Sequence, residues 1–193
     1  MSLTTTKSTH PTMVQFSRFL LSLSLLAVGL ASPVKRTVAQ VEADIASISA
    51  QVTTLDNNIN AFPNTGGSLV AALAIHTDAT SLETTLNQGT TDVKSTGTFD
   101  ETDGNTILNS VEAFEPTILD ALKGIAAKEP AFAALPIGGI PALILADLKT
   151  LRTDTAAFAQ ALIAAAPTDL KSEATTIANT IDAAFAAAIA VYS

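Results

Sequence analysis

Val38, Val41, Ile45, Ile48, Val52, Leu55, Ile59 and Phe62 follow one another at alternating steps of three and four. That spacing sets all of them on one face of an α-helix and is incompatible with the period of two that a strand requires. A helix of about 25 residues is roughly 37 Å long, and fixing its backbone costs more than one apolar stripe returns. The stripe therefore requires partners, either other helices or an external apolar surface.

Upstream of the stripe the chain reads as a secretory leader. Met13 to Arg18 carries one positive charge, Phe19 to Val28 is apolar, and Gly29-Leu30-Ala31 presents small residues, so cleavage after Ala31 is expected. Residues 1–12 read as an upstream extension, with Met13 as a second candidate start. Residues 32–36 form a short pro-segment ending in the dibasic pair Lys35-Arg36, which leaves 37–193 as one helical domain of 157 residues. The leader run is shorter than the roughly 20 residues a bilayer needs, so no transmembrane anchor is expected. Ala183 to Val191, a second apolar run, lacks the polar spacer of a lipid-anchor signal and reads as the end of the last helix.

All 18 acidic residues follow Arg36, whereas Lys7, Arg18, Lys35 and Arg36 account for four of the 10 basic ones. Residues 37–193 thus hold 6 basic against 18 acidic side chains, a net charge of −12. Such a surface disfavours nucleic acid and anionic lipid, both of which need basic patches. With no cysteine in the chain, stability must come from burial, and thiolate metal sites and cysteine nucleophiles are excluded.

Four more helical segments follow the first, which spans about Thr37 to Ala61 and stops at the breaker cluster Phe62-Pro63-Asn64-Thr65-Gly66-Gly67. Ser68 caps a second running to about Val93, with Leu69, Leu73, Leu82 and Leu86 on one side and Gly89 as a weak point. After a loop at 94–98, Asp100, Glu101 and Asp103 open a third. Its face is Ile107, Val111, Phe114, Ile118, Leu122 and Ile125, and a kink or short break is expected at Pro116. Pro130, Pro136, Gly138, Gly139 and Pro141 make the next stretch a loop or short turn-like helix. A fourth segment, Ala142 to Ala165, carries Leu143, Ile144, Leu148, Leu151, Phe158 and Leu162. Pro167 stops it, Thr168 caps a fifth, and Leu170, Ile177, Ile181, Phe185, Ile189 and Tyr192 line that last one. No run alternates with period two over strand length, so the fold class is all-α, a single antiparallel bundle of about five amphipathic helices.

Candidates for chemistry are few. His76, the one histidine after Arg36, is expected to face solvent or bond locally, since Ser68 lies in Gly66-Gly67-Ser68-Leu69-Val70, which lacks the second glycine of a nucleophile elbow. Asp100 to Asn105 fails as a calcium loop, because aligning Gly104 with the loop glycine puts Phe99 and Ser110 where carboxylates belong. Asp147 with Asp154, and Glu112 with Glu115, are pairs that any solvated helix face produces. No catalytic or metal-binding residues and no cofactor are therefore assigned. Two apolar features stand out: Ile137 and Ile140, set among glycines and prolines, either cap the core or form a lip at a ligand entrance. The alanine-rich stretches 156–166 and 183–190 either let helices approach closely or leave room for an acyl chain.

The ordered set of features resembles the fungal hydrophobic surface-binding protein A family, which includes cell-wall galactomannoproteins. It comprises the heptad helix after Lys35-Arg36; Thr102 to Leu122 with Val111-Glu112-Ala113-Phe114-Glu115-Pro116-Thr117 inside it; Lys128-Glu129-Pro130-Ala131-Phe132; Gly138-Gly139; Asp147-Leu148-Lys149-Thr150-Leu151; and Phe158 to Pro167. The resemblance implies a secreted, non-catalytic, cell-wall-associated helical domain that adsorbs to hydrophobic surfaces or holds fatty acids between its helices. Secreted esterases are the further partners it implies. An alternative keeps the bundle as a structural or antigenic wall mannoprotein with threonine-linked glycans. For a lipid site the helical faces nominate Phe114, Ile118, Leu122, Ile137, Ile140, Leu148, Phe158, Leu162, Ile177, Ile181 and Phe185.

Overall fold

The computed structural model describes residues 37–193; Ala31, Lys35 and Arg36, with the leader and processing sites they mark, lie outside the described residues. Six helices follow in order: α1 (Val38–Ala61), α2 (Leu69–Thr96), α3 (Glu101–Ala127), the short α4 (Glu129–Ala133), α5 (Ile140–Ala165) and α6 (Lys171–Val191). Among the described residues there is no strand.

Helix starts follow local side-chain chemistry. Thr37 Oγ1 accepts from the Gln40 amide at 3.3 Å, Ser68 Oγ from Ala71 at 3.1 Å and the Asp100 carboxylate from Asp103 at 2.9 Å, each satisfying an otherwise orphaned donor of a first turn. Helix α5 instead starts at a left-handed glycine, Gly139 with φ 95°, followed by Pro141 in its first turn.

Some helix boundaries and faces differ from those the residue pattern suggests. Helix α2 continues through its polar middle to Thr96, so the loop expected at 94–98 shrinks to 97–100. Exposed threonines on that stretch turn their hydroxyls back onto carbonyls four residues earlier, as Thr77 does to Leu73 and Thr91 to Asn87, and so satisfy them without leaving the helix. Its buried face is also rotated from the expected one. Ala72, Ile75, Ala79, Leu82, Leu86, Gly89 and Val93 face inward while Leu73 is 42% exposed, because small residues at the seam let α2 approach its neighbours closely. Helix α3 runs without interruption past the exposed Pro116, so no break occurs there. Helix α6 begins at Lys171 rather than at Thr168, which sits in a turn, and no side chain caps it.

The long helices form a closed ring. Each packs against two others, in the circular order α1, α2, α5, α6, α3 and back to α1. Short connections make α1 and α2 antiparallel, and likewise α5 and α6. The four-residue link 97–100 is the exception, since it carries the chain from α2 across one end of the ring to α3, and the Phe99 amide fastens it to the Ala165 carbonyl at 2.8 Å.

The opposite end is closed by aromatics and by one lysine. Phe62 and Phe132, the latter on α4, stack with ring centroids 4.3 Å apart. Lys128 Nζ donates to the Phe62 carbonyl and, at 2.8 Å, to Asn64 Oδ1, while Tyr192 donates its hydroxyl to the Ile125 carbonyl at 2.7 Å. Burial pushes the Tyr192 phenol above its ordinary range. Of the opening stripe, Val41 through Phe62 are all buried, so the other helices cover it.

Candidate functional site

Five helices in a ring leave an axis that four would fill, and the axis here is hollow. The larger of two neighbouring cavities along it has a volume of about 110 Å³ and receives side chains from every long helix. Ile48 and Val52 come from α1, Leu82 and Leu86 from α2, and Ile107, Leu108, Val111, Phe114 and Ile118 from α3. Thr155, Phe158, Leu162 and Ile163 of α5 meet Ala174, Ile177, Ile181 and Phe185 of α6, and Phe99 of the crossing link closes one end.

Periodicity explains why these side chains converge. On α3, steps of four, three and four from Ile107 through Val111, Phe114 and Ile118 keep one face toward the axis. On α5, Phe158 needs room that α2 provides at Gly89, where a Cβ would stand 3.0 Å from the Phe158 ring. The residue that reads as a weak point of α2 is thus the place where a cavity wall is seated. Gly104 plays the same part at the end of the ring, since a Cβ there would meet Pro167 at 2.7 Å.

Thr155 is the one polar side chain in this lining, which contains no charge. A second cavity of about 60 Å³ is lined by Leu55, Ile59, Ile75, Ala79, Ala121, Leu122, Ile125, Ile144, Leu148 and Leu151, with Asp147 at its edge. Seven of the eleven nominated side chains line the larger cavity, namely Phe114, Ile118, Phe158, Leu162, Ile177, Ile181 and Phe185, while Leu122 and Leu148 line the smaller. Ile137 and Ile140 join neither, the first 51% exposed on its loop and the second in the core at the start of α5.

Helical faces taken one at a time did not nominate α1 and α2, which supply Ile48, Val52, Leu82 and Leu86, nor Phe99. The signal for α1 was present in the opening stripe, which reads equally well as a seam. Nothing local marks Phe99, whose position depends on the link crossing the ring.

His76 departs from expectation, for its Nδ1 lies 2.9 and 3.0 Å from the two carboxylate oxygens of Asp147 on α5. Burial pushes the Asp147 carboxyl up and the bond to His76 draws it back. Ser68 is eight residues, roughly 12 Å along α2, from His76 and its hydroxyl is engaged as the helix cap, so the pair does not extend to that serine. Asp154, the other half of the pair considered on α5, accepts from Asn87 at 2.9 Å. Among the described residues no group of His, Asp and Glu is arranged to hold a metal ion.

Two contrasting seams flank α6. Toward α5, Arg152 Nε and Nη2 donate to the two oxygens of Asp182 at 2.6 and 2.8 Å, which holds the Asp182 carboxyl below its usual range. Toward α3, carboxylates face each other. Packing and then Glu173 push Glu112 up, with Glu115 adding to the effect; packing, Asp169 and Asp100 do the same to Glu101. Helix α6 is also long and apolar enough, by length and composition, to cross a membrane.

Comparison with solved structures finds the same ring of helices. AfMp4p, crystallised in complex with palmitic acid, is 31% identical with a TM-score of 0.75, covering 81% of this chain and 99% of that one. Ligand binding domain 1 of the Penicillium marneffei MP1 protein, complexed with arachidonic acids, shares 16% identity at a TM-score of 0.73, covering 81% and 99%. Domain 2 of that protein, complexed with multiple arachidonic acids, shares 15% at 0.73, covering 83% and 98%. At such identities the two MP1 domains establish a common fold. A comparison with curated protein sequences finds no match. The profile of hydrophobic surface binding protein A matches residues 38–164, and with that match spanning most of the helical ring the chain belongs to the hydrophobic surface binding protein A family.

Proposed function

We propose that the larger cavity holds the acyl chain of a fatty acid, in a secreted protein that binds lipid without catalysis. The observation that carries this reading is a lining drawn from all five long helices with no charged side chain and a single hydroxyl. Such a cavity offers nothing to a polar ligand and much to a chain of methylenes, each worth about 0.8 kcal/mol when buried. The fatty acids in the names of AfMp4p and the MP1 domains support the same assignment. The carboxylate stays at the mouth, because burying it without a partner is prohibitive.

A dry cavity of about 150 Å³ takes one benzene ring, so about 110 Å³ does not admit a long chain with the walls at rest. Sixteen carbons supply on the order of 10 kcal/mol gross, with which the helices are parted. The same parting exposes the apolar inner faces to a waxy or other hydrophobic surface, and recruitment of secreted esterases there is the extension that the family resemblance supplies. Secretion rests on the leader ending at Ala31. Cleavage after Arg36 is supported by α1, whose cap is Thr37.

The wall-mannoprotein alternative gains less. A bundle that serves only to carry threonine-linked glycans has no use for an apolar cavity shared by all five long helices.

Mass spectrometry of lipid extracted from the natively secreted protein tests the proposal, with fatty acid at near-stoichiometric yield as the expected result. Leu162→Gln, at a half-buried position on the cavity wall, is expected to weaken displacement of a fluorescent fatty acid tenfold or more in a protein that still folds. Absence of extracted lipid together with no binding of the probe by the unaltered protein would overturn it.

A further inference from the structure

The two cavities lie end to end, and four side chains belong to the walls of both: Val52 of α1, Leu82 of α2, Ile118 of α3 and Phe185 of α6. On α3, lining residues from Gly104 to Ile118 belong to the larger cavity and those from Ile118 to Ile125 to the smaller. On α5 the order is reversed, as its opposite direction requires, with Phe158 on the larger side and Leu151 on the smaller. The shared residues are therefore a waist across a single axial channel.

The dimensions make the waist consequential. The fourteen steps along α3 from Gly104 to Ile118 correspond to roughly 21 Å, and the seven further steps to Ile125 to roughly 10 Å. Carbon atoms joined by bonds of ~1.5 Å at ~111° advance ~1.25 Å each, so sixteen to eighteen carbons span roughly 19–21 Å and twenty-two roughly 26 Å. The shorter chains match the larger cavity in length, and the parted helices give them width. The longer one overruns it by about the depth of one helical turn.

We propose that this waist is a chain-length gate. Closed, it limits the occupant to a straight acyl chain of about eighteen carbons by the geometry above, and displacement of Phe185, the largest of the four side chains, joins the cavities. A longer chain has to pass the gate whichever of its ends leads. The gate rests on the reading that an acyl chain occupies the larger cavity, and its test separates the two.

Delipidated full-length secreted protein is titrated with straight-chain fatty acids of 14 to 22 carbons in competition with a fluorescent fatty acid. The unaltered protein is expected to bind the 22-carbon acid at least tenfold more weakly than the 16-carbon acid. Phe185→Ala raises the 22-to-16 affinity ratio tenfold or more, and Ile118→Ala, at a half-buried position, raises it by a smaller factor and serves where the first variant fails to fold. Leu162→Ala, far from the waist, shifts all lengths together. A ratio unchanged in folded Phe185→Ala or Ile118→Ala, or an unaltered protein that takes 22 carbons as tightly as 16, overturns the gate alone. Binding of no acid at any length overturns the fatty-acid reading and the gate with it.

Discussion

Helix α6 meets α5 and α3 along seams of opposite character. The α5 seam is pinned by a two-pronged Arg152–Asp182 pair, whereas the α3 seam sets Glu112 against Glu173 and, at the turn that leads into α6, Glu101 against Asp169. Both seams bury apolar side chains beside the same cavity, so the difference lies in what surrounds the apolar stripe. It teaches where the ring is expected to hinge and where it is expected to yield. On that contrast, an occupant too large for the resting cavity is expected to separate α6 from α3 first, since parting α6 from α5 breaks charge-assisted hydrogen bonds.

The largest effect expected on this contrast comes from the far wall of the yielding seam. Pro116 deprives α3 of one internal hydrogen bond, and proline inside a helix costs about 3 kcal/mol relative to alanine. Pro116→Ala is therefore expected to stabilise the fold by about 1–3 kcal/mol, read as a rise of several degrees in a thermal melt of the lipid-free protein. It should also slow fatty-acid release if α3 is a wall that moves; unchanged release from a more stable protein would assign the movement to α6 alone.

Acidity provides the next test. Glu101 and Glu112 are raised above the ordinary glutamate value of 4.5, so their contribution to stability is complete below that value and is lost as pH rises through the higher folded-state values. Asp182 is depressed below 3.8, so its contribution is present above that value and is lost only as pH falls through the lower folded-state value. Asp56, Glu83 and Asp147 are raised as well and act in the same direction as the glutamates. Melting temperature is accordingly expected to rise on going from about pH 7 to about pH 5 and to turn down only in stronger acid. A steady fall across that first interval would show that the seams do not differ as described.

The smallest effect is expected from the pinned seam itself. Arg152→Gln leaves Asp182 unpaired at an exposed position, where the stability change is slight. Hydrogen exchange is the sensitive measurement, with loss of protection confined to the facing turns of α5 and α6 as the expected pattern. Equal loosening along α3 would contradict the hinge.

The distribution of these features bears on what a sequence discloses. The all-helical class was legible because the stripe from Val41 to Phe62 repeats without a fault, and because Ser68 and Asp100 announce helix starts by well-understood chemistry. The buried face of α2 was not, because it is built on Ala72, Ala79 and Gly89, whose smallness carries the packing and leaves no hydrophobic signal. Thr168 looked like a cap, yet α6 begins three residues later because the chain turns after Pro167 first. Nine of the nominated lipid-site residues fall on a cavity wall, as expected of any inward helical face in a hollow ring. Ile137 and Ile140 do not, since proximity to glycine and proline gives no direction. The hollow itself was invisible, for it depends on α3 packing beside α1 and α6 rather than beside α2, a choice made at the crossing link.

That choice divides the ring into two stretches that are each continuous in sequence. Helices α1, α2 and α3 form one layer centred on α1, and α5 with α6 forms a hairpin laid across its open edges. The cavity belongs to neither stretch alone and comes into being where they dock. Any molecule held there touches both, so its affinity and the cohesion of the two halves are a single free energy seen from two sides: what fills the protein also fastens it together.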